Sequence, residues 1–160
     1  MVILRCTGTL LTLLRGPAPD PVEASPTDWY ANLIQIQRRR CLLLTHAGSL
    51  FSVFAPALTA ADLRPPGPLV VARIQAALHA EGLPATTFGP LDPHAVHVAR
   101  TADRRVLGTM NDHLTLIQHV IAAHGGLAHC DLDALHHTLH RTINSLTGYT
   151  PPIELLTTTP

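Results

Sequence analysis

Residues 29–54, WYANLIQIQRRRCLLLTHAGSLFSVF, decide the predicted fold because they hold three apolar runs separated by short turns. The arginines 38–40 separate the first run from the second, and the Gly48-Ser49 pair separates the second from the third. Short apolar runs bounded by turn residues are typical of strands. Consecutive strands joined by tight turns form an antiparallel β-meander, so the sequence predicts strands at Trp29–Gln37, Cys41–Thr45 and Leu50–Phe54.

The rest of the chain predicts two more strands and four helices. Apolar residues at helical spacing, closed by glycine or proline, indicate each helix. The additional strands are predicted at Val2–Cys6 and Ala95–Arg100, and the helices at residues 8–15, Leu69–Glu81, Asp103–His124 and Asp131–Ser145. Together the elements predict an α+β fold, an antiparallel β-meander of about five strands with helices packed on one face.

The length of the chain and its composition predict a single domain over residues 1–160. A chain of 160 residues is the usual size of one domain, and 46% apolar residues suffice for a core. Residues 17–27, PAPDPVEASPT, hold four prolines and are expected to form a surface loop within that domain. Residues 150–160 are expected to form a flexible tail.

Charge and cysteine content exclude several classes of protein. Eleven arginines balance eleven acidic residues, which argues against a protein that coats polyanions. Cys6, Cys41 and Cys130 are too few and too scattered for a disulfide framework, so buried free thiols in a reducing cytoplasm are expected.

Residues 41–61 lack formal charge, but polar and proline interruptions favour a hairpin over a membrane span. We therefore expect a cytoplasmic protein without a membrane contact.

The start of the helix after Asp103 breaks two local rules. If Asp103 is the N-cap, Arg104 and Arg105 lie in the first turn, where cations oppose the helix dipole. Gly108 inside the helix costs up to about 1 kcal/mol relative to alanine, but lets a ligand or another backbone approach closely. Free backbone N–H groups beside guanidinium groups suit an anion. The predicted ligand site comprises Arg104, Arg105, Gly108, Asn111 and Asp112.

A purely structural alternative exists for the same segment. Thr109 is a possible N-cap with Asp112 at the third helical position, which places Gly108 in the entry turn. With either helix start, a further structural alternative is that Asp112 only pairs with an arginine from the sheet. The sequence alone leaves both alternatives open.

The block Val106–Asp112, VLGTMND, occurs together with the opening MVILRCT and the WYANLIQIQRRRCLLL hairpin. In these segments the chain resembles an uncharacterised bacterial family of a domain of unknown function, marked by a Val-Leu-Gly-Ser/Thr-Met-Asn-Asp block. The resemblance covers about residues 1–125. This chain has Asp103 and Arg105 where the family commonly has Asn and Ser. The resemblance implies a shared fold and a bacterial origin, but no activity.

Histidines and the arginine turn suggest two further sites. Two candidate metal ligands are His136 and His140, which are spaced i and i+4, with His129, Cys130 and Asp133 nearby. However, they flank the predicted apolar stripe of the helix, and no metal-binding motif accompanies them. We therefore expect these histidines on the surface and no bound metal. Three adjacent arginines, Arg38, Arg39 and Arg40, are able to bind phosphates on a nucleic acid. No nucleic-acid-binding motif and few aromatic residues accompany them.

The sequence favours a small intracellular binding or regulatory module without a cofactor. Its expected partner is a protein, or an anionic ligand at Arg104, Arg105 and Asn111. No motif of nucleophilic or nucleotide-binding enzymes is present, and Cys6 is expected to be buried and inert. One alternative is a small hydrolase or transferase that uses Asn111 and Asp112 beside the arginines. Another is a nucleic-acid-associated factor that uses the arginine turn.

Overall fold

The computed structural model describes residues 1–157, which form five strands and five α-helices. In chain order the elements are β1 (Val2–Cys6), α1 (Gly8–Leu14), β2 (Trp29–Ile36), β3 (Arg39–His46), β4 (Ser52–Leu58), α2 (Gly67–Ala80), β5 (Val96–Arg100), α3 (Arg104–Ala123), α4 (Leu132–His140) and α5 (Pro152–Thr157). The predicted α+β class is therefore confirmed. No helix of residues 1–157 is long and apolar enough to cross a membrane.

The five strands form one mixed sheet with the order β4-β3-β2-β1-β5. The predicted meander of β2, β3 and β4 is confirmed, since both pairs are antiparallel. The prediction of a wholly antiparallel sheet is wrong, because β1 pairs in parallel with β2 and with β5. Residues 7–28, which include α1, connect β1 to β2 and are long enough for a parallel crossover.

Helices cover both faces of the sheet, so the prediction of helices on one face is wrong. Successive side chains of a strand point to opposite faces, and each face of this sheet buries its own apolar cluster. One cluster joins Leu4, Leu42 and Val53 to α1 and α2. The other joins Tyr30 and Leu43 to α3 and α4.

The hairpin between β2 and β3 turns at Gln37 and Arg38, and Arg39 already belongs to β3. Gln37 and Arg38 have positive φ angles of 50° and 64°, as the central residues of a tight type I′ hairpin turn require. The prediction that residues 38–40 form the turn is therefore wrong for Arg39 and Arg40, which are paired in β3, and only Arg38 of the predicted turn lies in the turn.

The C-terminal helix prediction also needs correction. Helix α4 ends at His140, five residues before the predicted end, and exposes Ile143 and Leu146, which were expected on its buried stripe. The segment expected to be a flexible tail contains α5, whose Pro152 is buried. The last part of that segment, residues 158–160, lies outside the described residues.

The chain leaves the two neighbouring parallel strands β1 and β5 in opposite directions. After β1 it enters α1 on one face, and after β5 it enters α3 on the other face. Where adjacent parallel strands feed helices on opposite faces, a crevice opens at their carboxyl ends, and ligands of α/β proteins bind in such crevices. The fold therefore directs attention to the ends of β1 and β5.

Candidate functional site

Asp103 is the N-cap of α3, as predicted. Its side chain accepts a hydrogen bond of 2.9 Å from the backbone nitrogen of Arg105. The Tyr30 hydroxyl accepts a further bond from the backbone nitrogen of Asp103, which fixes the start of the helix against β2. The alternative start at Thr109 is wrong, because Thr109 is buried inside α3.

The five residues of the predicted ligand site are all exposed on α3. Arg105, 75% exposed, pairs with Asp103, and the hydrogen bonds from Arg105 lower the pKa of that carboxyl. A Cβ atom at Gly108 would have no atom within 4 Å outside the adjacent backbone of α3, so no other segment within residues 1–157 approaches the glycine closely. The two cavities described below include none of these residues. Ligand binding at Arg104, Arg105, Gly108, Asn111 and Asp112 stays a prediction.

The three hairpin arginines do not present one continuous surface. Arg38 lies in the turn, whereas Arg39 and Arg40 are consecutive residues of β3 and point to opposite faces of the sheet. Arg40 lies on the same side as α1, where it lines a cavity of about 390 Å³ together with Thr9 and Leu33. Nucleic-acid binding by these arginines stays a prediction.

A larger cavity of about 840 Å³ lies at the carboxyl ends of β1 and β5. Its walls come from four separate segments: the exposed side of α1, the loop that follows α1, the cis-proline segment before α2, and the end of β5. The volume falls in the range of sites that bind small molecules and cofactors. The cavity is therefore the candidate functional site of this protein.

The cavity combines an apolar floor with a few charged groups. Leu11, Leu63 and Val98 supply apolar surface. Arg64 and Arg100 line it as well, and among the described residues neither side chain is in an ion pair. Arg64 donates from Nε to the Leu13 carbonyl at 2.7 Å, which orients its side chain along α1.

One carboxylate and one hydroxyl complete the polar lining. Asp20 lies in the proline-rich loop and Thr12 on the exposed side of α1. Thr12 lines both cavities, so α1 forms the partition between them. The arrangement suits a molecule that has both an apolar part and an anionic group.

A buried arginine holds the proline-rich loop beside the cavity. Arg5 of β1 donates from one terminal nitrogen to the carbonyls of Val22 and Glu23, both at 2.8 Å, and from the other to the carbonyl of Arg100 at 2.9 Å. Its Nε bonds the carboxylate of Asp28. Arg5 thus fixes the loop and the end of β5 to each other. Sequence reasoning missed this role, although a single arginine inside the apolar strand MVILRC is a visible signal.

The prediction that His136 and His140 of α4 lie on the surface is wrong, whereas their neighbour His137 is exposed. His136 and His140 are buried because α4 packs two adjacent stripes, leucines and histidines, against β4. Each of these imidazoles has a hydrogen-bond partner in the sheet. Residues 1–157 contain no group of three His, Cys, Asp or Glu side chains arranged to hold a metal ion.

Cys6 is buried at the end of β1, as predicted. Burial raises the pKa of its thiol to about 12, so it is protonated at neutral pH and is a poor nucleophile. Its Sγ contacts the Leu4 carbonyl at 3.6 Å. The cavity chemistry therefore depends on arginine, aspartate and threonine side chains.

The cavity itself has no local sequence signal. Its lining residues come from segments up to 92 positions apart, from Gly8 to Arg100. The usable clue is topological, since the ends of neighbouring parallel strands collect functional residues. A wholly antiparallel sheet has no neighbouring parallel strands, so its prediction gave no reason to expect a site at these strand ends.

Comparisons with known proteins agree with the family resemblance. Neither a curated protein nor a solved structure matches the chain. The family model described as Domain of unknown function (DUF6933) matches residues 3–155. This match covers β1 from its second residue, the other four strands and the first four residues of α5. The chain therefore belongs to the DUF6933 family of domains of unknown function.

Proposed function

We propose that the protein is a non-enzymatic binding module whose ligand occupies the 840 Å³ cavity at the carboxyl ends of β1 and β5. The observation that carries the proposal is the position of this cavity. It lies where the chain leaves two adjacent parallel strands toward opposite faces of the sheet, which is the preferred ligand position in open parallel sheets.

The ligand class follows from the lining. Two guanidinium groups with no ion pair among residues 1–157 favour an anionic group, since an arginine binds a carboxylate or phosphate through paired hydrogen bonds. The apolar surface of Leu11, Leu63 and Val98 favours a hydrocarbon part beside that anion. The ligand is therefore a small amphipathic acid. The absence of a nucleophile or a paired acid and base from the lining supports binding over catalysis.

We further propose that the chain forms a single domain and that the protein is located in the cytoplasm. All three cysteines are free thiols and two of them are buried, which is the usual state in a reducing compartment. Arg5 supports the one-domain proposal because it ties β1, the proline-rich loop and the end of β5 into one hydrogen-bonded unit.

Calorimetric titration with hexanoate tests the proposal, with hexanamide as the uncharged analogue. We expect hexanoate to bind with a dissociation constant in the millimolar range and hexanamide to bind more weakly. Arg100→Ala removes one charged partner, whose hydrogen bond is worth about 1.5–3 kcal/mol, and should weaken hexanoate binding by roughly 10-fold or more.

Arg38→Ala is the matched control, because Arg38 is an exposed arginine in the hairpin turn outside the cavity. It should leave hexanoate binding unchanged. Equal binding of hexanoate by the Arg100→Ala and wild-type proteins would overturn the assignment of this cavity to an anionic ligand.

A further inference from the structure

Three buried histidines from two helices converge on strand β4. His113 of α3 contacts the Ser52 hydroxyl through Nδ1 at 2.8 Å, and that hydroxyl also contacts Thr45 Oγ1 at 2.8 Å. His140 of α4 contacts the Ser52 carbonyl through Nε2 at 2.7 Å. His136, one turn earlier, contacts the backbone nitrogen of Phe54 at 2.8 Å. Helix α4 is therefore attached to β4 by two imidazole contacts.

The contact of His136 exists only while its Nε2 atom carries no proton. The Phe54 backbone nitrogen is a donor, so Nε2 must accept. A proton on Nε2 would place two N–H groups against each other in a buried site and remove the bond. Burial already lowers the pKa of His136 to about 4.

His140 has the opposite requirement. Both of its ring nitrogens face oxygen acceptors, Nε2 the Ser52 carbonyl and Nδ1 the Glu81 carboxylate at 3.0 Å. Nε2 therefore carries a proton, and a second proton at Nδ1 would donate to the Glu81 carboxylate, although burial lowers the pKa of His140. Arg141 donates to both oxygens of Glu81 at 3.1 and 2.9 Å and closes the cluster on its exposed side.

The charges around His136 oppose a second proton. On α4 its ring is stacked on His140, with centroids 5.6 Å apart. From α2, Arg73 disfavours a charge on His136, whereas Glu81 favours one but already serves His140 and Arg141. From α3, His113 adds a further titratable ring at the same strand, beside exposed Asp112. The side of β4 offers only the Phe54 N–H donor.

We propose that His136 is a proton-sensitive latch that releases α4 from β4 when the pH falls. Protonation removes the bond to Phe54 and adds a cation beside the His140–Glu81 pair. A proton added to His140 would keep its contacts with the Ser52 carbonyl and the Glu81 carboxylate, so only His136 loses its contact with β4 on protonation. Release exposes Leu135 and Leu139, which are buried while α4 is attached.

Hydrogen exchange of the full chain at pH 7 and pH 5 tests the latch, with amides of β3 as the internal reference. The pKa of His136 is about 4 while α4 is attached to β4, and 6.5 is the value for a histidine of the released helix. This difference makes release of α4 about 20-fold more favourable at pH 5 than at pH 7. His136→Gln keeps an acceptor for Phe54 but does not titrate. The pH-induced rise in α4 exchange, corrected for intrinsic rates, should be about 20-fold smaller in His136→Gln than in wild type.

His137→Gln is the matched control, since His137 is the exposed neighbour on α4. It should keep the wild-type response. An equal pH response in His136→Gln and wild type would overturn the latch. If His136→Gln does not fold, nitrogen NMR of the wild-type histidines decides: His136 Nε2 should stay unprotonated at pH 5, and protonation of this atom while α4 is still attached to β4 would overturn the proposal.

Discussion

The Nε of Arg5 donates to the carboxylate of Asp28 over 2.5 Å, and both side chains are 2% exposed. This pair joins β1 to the residue that precedes β2, within the parallel part of the sheet. Asp28 Oδ2 also accepts from the backbone nitrogen of Ser25 at 3.0 Å. The buried charges are thus satisfied by each other and by the proline-rich loop that borders the cavity.

Asp28→Asn should destabilise the fold strongly, because it leaves the Arg5 charge buried without a counter-ion. Loss of one partner of a buried ion pair costs about 3–5 kcal/mol. Urea unfolding measures the change. The double variant Arg5→Met/Asp28→Asn should be less destabilised than the single one, and a cost below about 1 kcal/mol for Asp28→Asn would contradict the role of the pair.

Stability should fall as the pH drops from 6.5 to 4. Burial lowers the pKa of His46, His113 and His136 from 6.5 to about 4 in the folded protein. The unfolded chain therefore binds more protons in this window, and each histidine contributes roughly 3 kcal/mol that is present above pH 6.5 and lost by pH 4.

Urea unfolding at pH 7, 6 and 5 measures this loss. The expected slope between pH 6 and 5 is about 4 kcal/mol per pH unit, the value for three protons. The exposed His137 provides a control, since His137→Gln should not change the slope. A free energy of unfolding that is flat from pH 7 to pH 5 would show that these histidines are not buried in their neutral form.

Substitution of two glycines by alanine should change the stability of the fold in opposite directions. A Cβ atom at Gly67 would overlap the backbone carbonyl of Pro93, so Gly67→Ala should cost about 1–3 kcal/mol. Gly108 has open space around it at the fifth position of α3, so Gly108→Ala should stabilise by about 0.5–1 kcal/mol. Thermal unfolding checks both. Destabilisation by Gly108→Ala would show a close contact at this glycine that the structure lacks.

Thiol labelling of the native protein should separate the three cysteines. Cys6 and Cys41 are buried, and burial raises the pKa of both thiols. Cys130 is partly exposed, so it should react first with a disulfide reagent, although burial raises its pKa too. Mass spectrometry of labelled peptides measures the order, and rapid labelling of Cys6 without denaturant would contradict its position at the buried end of β1.

The parts of the fold that depend on neighbouring residues were predictable from the sequence. The β2–β4 meander follows from turn residues between apolar runs, and α3 follows from its periodicity and its Asp103 cap. The parallel pairing of β1 was not predictable in this way, because no local turn specifies a partner across residues 7–28. The second helical layer was missed for the same reason.

The candidate site was less predictable than the fold. His136 and His140 were expected on the surface because they flank the leucine stripe of α4, and only the contacts to β4 decide that both are buried. Arg104 and Arg105 do lie in the first turn of α3, as predicted, but Arg105 already pairs with Asp103. The cavity joins residues that have no sequence proximity, such as Thr12 and Arg100, and only the strand order brings them together.

Two-dimensional ¹H–¹⁵N NMR with hexanoate tests the central claim most directly, because it locates the ligand on the sheet. The account predicts saturable shifts for the amides of Gly8, Thr12, Val98 and Arg100, which line the cavity, and none for residues 104–112 at the start of α3. Shifts confined to residues 104–112, or no saturable shift in the cavity, would contradict it.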